Sequence, residues 1–163
     1  MELDIDVEQK LSRDCNKKIT EELSNSDTPV TCGGSGCFFC CSLNVDCFPE
    51  EVQKLAEIVI SGEVDIDMGK LESRVKGSTA IKDNWCPFLR GGKCSVYDNR
   101  PVMCSRMMVV TDPKHCRISD RRKATQVEPS KLDKRWQVLV ATYGKVRLHV
   151  ALYNLLLKAG YKE

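Results

Sequence analysis

No stretch of this sequence strings together the roughly 18 apolar residues that a membrane-spanning helix needs, so helical membrane insertion is not expected. The opening MELDIDVEQKLSRDC lacks an apolar segment and begins with acidic residues, which argues against a secretory signal. We therefore read the chain as soluble and cytoplasmic, with no membrane partner. Neither sign of charge is in large excess. A net charge of +2 supplies no global drive toward nucleic acid, and such a partner is disfavoured without being ruled out. Aromatic residues make up only 6% of the chain, and its middle third is poor in long apolar runs, so the core there is expected to need help from a metal. The sequence also lacks GxGxxG, a phosphate-binding loop, HExxH and GxSxG. The CxxxCxxC loop of radical S-adenosylmethionine enzymes is absent too, so whether the chain is an enzyme stays open and no general base can be named. It contains no internal repeat and no low-complexity segment.

What the chain has is cysteine. Seven of its ten cysteines fall in two blocks, CGGSGCFFCC (Cys32, Cys37, Cys40, Cys41) and CPFLRGGKCSVYDNRPVMC (Cys86, Cys94, Cys104). In a reducing compartment clustered thiols bind metal more often than they pair as disulfides. The even count would allow five bridges, but a bond between the neighbours Cys40 and Cys41 would close a strained ring. Thiolate is a soft ligand that selects zinc, copper(I) or iron, the last including iron–sulfur clusters. One zinc ion or one cubane takes about four ligands, so seven thiolates point to two ions or to one polynuclear centre. Cys37 and Cys40 have the CxxC spacing that lets two sulfurs reach a common ion, whereas Cys41 leaves the backbone in another direction. Gly33, Gly34 and Gly36 free the backbone to wrap an ion. Phe38, Phe39, Phe88, Met103, Met107 and Met108 flank the blocks, either as ordinary core or as an apolar shell around a cluster.

Helix signals frame these blocks. Leu11, Cys15, Ile19 and Leu23 recur every four residues and predict a helix over residues 5–24, with Cys15 a small core residue rather than a ligand. Pro49, Glu50 and Glu51 start a second helix that Gly62 ends, and Asp67 caps a third from Met68 to Lys76 before Gly77. The stretch from Ile81 to Cys116 reads as irregular. Ser130 and Asp133 open one long helix to about Lys158, apolar along two lines and so either buried on two sides or holding a face for a protein partner. His149 reads as packing within it. The expected fold is mainly α, a small single domain whose irregular cysteine-rich metal-binding centre is clasped by N- and C-terminal helices. Its parts are a helical segment (1–28), the cysteine-cluster core (29–118) and a basic connector with the long C-terminal helix (119–163).

The residues then carry a resemblance. Cys37, Cys40 and Cys41, followed by Pro49-Glu50-Glu51-Val52, and the string CPFL, Cys94-Ser95-Val96-Tyr97, Arg100-Pro101 and Cys104 resemble the CxxCxxCC cysteine-cluster family. These YkgJ-like proteins are zinc- or iron-chelating domains, to which flagellin lysine N-methylase is similar. The resemblance spans roughly residues 30 to 110. Two departures stand out: four residues separate Cys32 from Cys37 where the family usually has two, and Ser105 follows Cys104 where an arginine is expected, with Arg106 one place on. The combined reading assigns metal ligation to Cys32, Cys37, Cys40, Cys41, Cys86, Cys94, Cys104 and Cys116, with Cys47 and His115 as further candidates. Tyr97 and Arg100 are assigned to the surroundings of the centre, Arg100 donating hydrogen bonds to thiolates or to their carbonyls. Two functions follow. One is a zinc or iron metalloprotein, with redox or methyl-transfer chemistry as the finer reading. The other is a module with purely structural zinc that docks a protein or nucleic acid through the C-terminal helix and the basic stretch before it.

Overall fold

The computed structural model describes residues 3–31, 38–77, 85–116, 125–127 and 130–161, and within these the side chains of 113 and 130–132 are not described. Six α-helices dominate the described residues, so the mainly α expectation is met. Helix α1 (Ile5–Leu23) starts where Asp4 accepts a hydrogen bond from the Val7 amide at 3.2 Å. Helix α2 (Pro49–Ile60) starts at its proline, and α3 (Met68–Val75) starts where Asp67 accepts from the Lys70 amide at 2.9 Å. Gly62 and Gly77 follow α2 and α3 with φ of 78° and 75°, the left-handed exit that glycine adopts without a Cβ penalty.

Glu51 does more than favour a helix dipole. Its carboxylate accepts from the Phe48 amide at 3.0 Å and from the Val102 amide at 2.7 Å. It thereby ties the start of α2 to the start of α4 (Val102–Arg106), the helix that carries Cys104. The segment expected to be irregular contains short elements among its described residues. A hairpin of β2 (Leu89–Arg90) and β3 (Lys93–Cys94) turns through Gly91 and Gly92, both at positive φ, and a 3-10 turn follows at Tyr97–Asn99.

The long C-terminal helix requires a correction. It is two helices, α5 (Ser130–Tyr143) and α6 (Leu148–Lys158). Gly144, at φ 75°, ends α5 and donates its amide to Val140 at 2.9 Å. Strand β4 (Val146–Arg147) then pairs antiparallel with β1 (Asp46–Cys47) just after the first cysteine block. The apolar line seen in the sequence is accordingly shared out. Leu148, Leu152 and Leu156 of α6 join Val52, Leu55, Val59 and Leu71 of α2 and α3 in the main core, while Leu139 and Trp136 of α5 pack with Ile5 and Phe48 in a second one. Full burial of such side chains contributes about 1.5–3 kcal/mol each to the core that α2 and α3 share with α6.

Helix α1 also docks by a face other than the apolar stripe. Its buried residues are Ile5, Glu8, Gln9 and Ser12, whereas Leu11 is exposed and Cys15 half-buried. Glu8 pairs with Arg135, Ser12 Oγ meets Ser105 Oγ at 2.8 Å, and Asn16 donates to the Ser105 carbonyl. A face that docks by hydrogen bonds leaves no trace in hydrophobic periodicity.

Candidate metal centre

Cys40 and Cys41 sit in a 3-10 turn (Phe39–Ser42), closed by the Cys41 amide donating to Phe38 and the Leu43 amide donating to Cys40, each at 2.9 Å. The second block is attached directly to this turn. The Cys86 amide donates to the Cys41 carbonyl at 2.8 Å, and Cys86 in turn accepts from Leu89 at 2.9 Å, which leads into the hairpin that carries Cys94. Cys104 lies in α4, its amide donating to Pro101 at 2.9 Å. Five cysteines from the two blocks, Cys40, Cys41, Cys86, Cys94 and Cys104, thus line one cavity of about 860 Å³. Phe38, Phe88, Met103 and Met107 line it too, and Cys86 and Cys94 rest against the main core below.

The thiols feel one another. A hydrogen bond from Cys41 brings the Cys40 thiol down to about 7, assisted by the Arg100 charge and opposed by burial. The same bond pushes Cys41 strongly up, reinforced by burial and by the neighbouring sulfurs of Cys40, Cys86 and Cys94. Burial raises Cys86 to about 11 and raises Cys94 and Cys104 as well. Among these five thiols, therefore, ionisation is eased at Cys40 and disfavoured at the other four. A soft cation would displace their protons on binding.

Two guanidinium groups balance this potential anion. Arg100 stacks on the Tyr97 ring at 4.1 Å, both residues line the cavity, and its charge favours the thiolates of Cys40, Cys94 and Cys104. Arg74 of α3 is buried. It donates from Nη1 to the Cys41 carbonyl at 2.9 Å, from Nη2 to the Leu43 carbonyl, and from Nε to His149 Nδ1 at 3.1 Å. Neither Arg74 nor His149 was singled out as part of the site by sequence reasoning. One is a basic residue in a short amphipathic helix and the other a histidine inside an apolar one, so only the fold brings them beside the cysteines.

The remaining sequence candidates are distributed as follows. Cys32 and Cys37, with Gly33, Gly34 and Gly36, lie outside the described residues. Cys116 is buried on a 3-10 turn (Pro113–Cys116) that packs against the Phe39–Ser42 turn, outside the cavity lining, and His115 precedes it. Cys47 is fully buried in the main core and contacts the Val146 carbonyl through sulfur at 3.8 Å. Arg106, which follows Ser105, pairs with Asp133 and faces Trp136, away from the cavity. Among the described residues no three Cys, His, Asp or Glu side chains are arranged to hold an ion. The donor set nevertheless fits a soft metal: thiols from both blocks share a cavity with cationic neighbours and an apolar lining.

Cys15 on α1 does not line that cavity. Cys15→Ala is expected to leave metal content unchanged and to cost no more than about 1 kcal/mol in urea unfolding. Loss of metal from this variant would show that α1 supplies a ligand.

Burial and the charges of Arg74 and Arg147 hold His149 neutral, bringing it down to about 3 from an ordinary 6.5. Because the folded value lies below the unfolded one, its contribution to stability is present above pH 6.5 and is lost as the pH falls toward 3. Metal-free protein should lose about 1.7 kcal/mol of urea stability through this group between pH 6.5 and about pH 5. His149→Gln should remove that part of the slope, and an identical pH profile in the variant would contradict the assignment.

Comparison with known proteins agrees with the donor set. The CxxCxxCC family model, whose description reads "Putative zinc- or iron-chelating domain", matches residues 31–140. No curated protein and no solved structure matches the chain. No described helix is long and apolar enough to cross a membrane.

Proposed function

Since the chain belongs to the CxxCxxCC family of zinc- or iron-chelating domains, we propose that its metal centre is built from Cys40, Cys41, Cys86, Cys94 and Cys104 and completed by Cys32 and Cys37. The observation that carries this reading is the meeting of five thiols from two distant blocks in one cavity. Seven thiolates exceed what one tetrahedral ion takes, so the reading includes two ions or one polynuclear centre, with an iron–sulfur cluster as the form that best uses the apolar lining. A bound metal supplies the positive charge that keeps buried thiolates deprotonated. The protein's own residues do the rest. Arg100, steadied by Tyr97, offsets the negative charge of the sulfurs, and Arg74 fixes the carbonyls of the turn that presents Cys40 and Cys41.

Metal analysis of protein purified with and without oxygen tests this. At least one tightly held zinc or iron per chain is expected. A brown sample with sulfur-to-iron charge-transfer absorption identifies iron, and a colourless one containing zinc identifies zinc. A folded, metal-free chain with its cysteines paired as disulfides would sink the proposal.

A further inference from the structure

His149 is the one imidazole at the cavity, and its hydrogen bonds determine what it can do there. His149 is among the residues that line the same cavity as the five thiols, and the residue is 3% exposed. Leu148, its neighbour, donates to the Val45 carbonyl at 2.9 Å, and β4 pairs with β1, so the start of α6 is fastened to the chain that leaves the first cysteine block. Arg74 Nε donates to His149 Nδ1 at 3.1 Å. A guanidinium is always protonated and has no acceptor, so Nδ1 must present its lone pair to that bond. The ring proton of a neutral His149 is then on Nε2. That nitrogen is buried and has no partner among the described residues. A buried N–H without an acceptor costs about 1–3 kcal/mol, a penalty that a sulfur anion in the cavity would remove.

We propose that His149 is a hydrogen-bond donor, through Nε2–H, to a metal-bound thiolate of the cavity, and is not itself a metal ligand. The inference rests on the metal-centre reading above. With Nδ1 committed to Arg74, ligation through Nε2 would require an imidazolate, whereas donation requires only the proton already there. His149 thus joins Arg100 and Arg74 as a residue that positions and stabilises an anionic centre.

The test uses the full chain, labelled with nitrogen-15, metal-free and then loaded anaerobically with zinc, the bound zinc being counted on the same sample. The chain has only two histidines, so a His115→Gln sample assigns the rings. Long-range proton–nitrogen spectra should show an unprotonated Nδ1 and a protonated Nε2 for His149 in both forms, with the Nε2 proton signal moved by zinc. Zinc affinity should fall about 10- to 100-fold in His149→Leu and stay within about threefold of the parent in His149→Gln, which keeps a donor. Bound zinc with loss of the Nε2 proton, a protonated Nδ1, or an Nε2 proton that zinc leaves unmoved would each overturn the inference alone. Absence of bound zinc, together with absence of bound iron after anaerobic loading with ferrous iron and sulfide, would overturn the metal-centre reading, and the inference with it. The spectra of the parent decide the matter even where His149→Leu fails to fold.

Discussion

Serine in place of Cys41 should strip the chain of bound metal and open both cysteine blocks to protease together. Structural zinc binds with about 10–16 kcal/mol through four ligands, so removing one thiolate should cost about 3 kcal/mol, a loss of roughly 100-fold or more in affinity. The blocks should respond jointly because they meet at Cys41, whose carbonyl accepts from the Cys86 amide at 2.8 Å and from Arg74 at 2.9 Å. Cys40, Cys86, Cys94 and Cys104 should behave alike when changed to serine, and a strong chelator should reproduce the effect in the parent. Helices α2, α3 and α6 should survive, because Leu55, Leu71 and Leu152 bury one another without help from metal. Far-ultraviolet circular dichroism would report the helices, and limited proteolysis with metal analysis would report the blocks. Variants that kept full metal content and loosened only their own block would show two separate sites.

Arg74→Met should cost about 2–5 kcal/mol in urea unfolding, although Arg74 belongs to neither cysteine block. The change leaves the carbonyls of Cys41 and Leu43 and the Nδ1 of His149 without this donor in a buried setting, each loss worth about 1–3 kcal/mol. Burial already works against the Arg74 charge, and Cys86, Cys41 and Cys104 are the neighbours that favour it. The guanidinium therefore links the fold's stability to the ionisation of the site. Arg74→Lys keeps the charge but loses the planar fork, so it should recover less than half of the cost. A cost below about 1 kcal/mol for Arg74→Met would mean that the Leu43 carbonyl and His149 Nδ1 find other donors, contrary to the arrangement described.

Much of the local structure was legible beforehand. The starts of α2 and α3 were marked by Pro49 and Asp67, and their ends by Gly62 and Gly77, because caps and left-handed exits are settled by hydrogen bonds within a few residues. Helix α1 was correctly placed but wrongly faced. Leu11 of its apolar stripe is exposed and Cys15, Ile19 and Leu23 are only half-buried, while Glu8, Gln9 and Ser12 dock, since ion pairs and hydroxyl contacts can bury a polar face as well as oil can bury an apolar one. The C-terminal segment kept one apolar pattern across Gly144, and pattern alone cannot tell a continuous helix from two that share a core.

Residue chemistry by itself determined the class of the site: soft thiolate donors in two dense blocks, a family's spacing, and a metal of the zinc or iron kind. Donor type is a property of each side chain and needs no fold to be read. Only the tertiary structure decided which residues share the cavity. It brought Cys86, Cys94 and Cys104 to the turn of Cys40 and Cys41 and left Cys47 in the core, and it carried Arg74 and His149 in from helices with no cysteine at all. Those placements depend on pairings between residues far apart in the chain, β1 with β4 and Cys86 with Cys41, whose strength comes from the closure of the whole core rather than from any local signal.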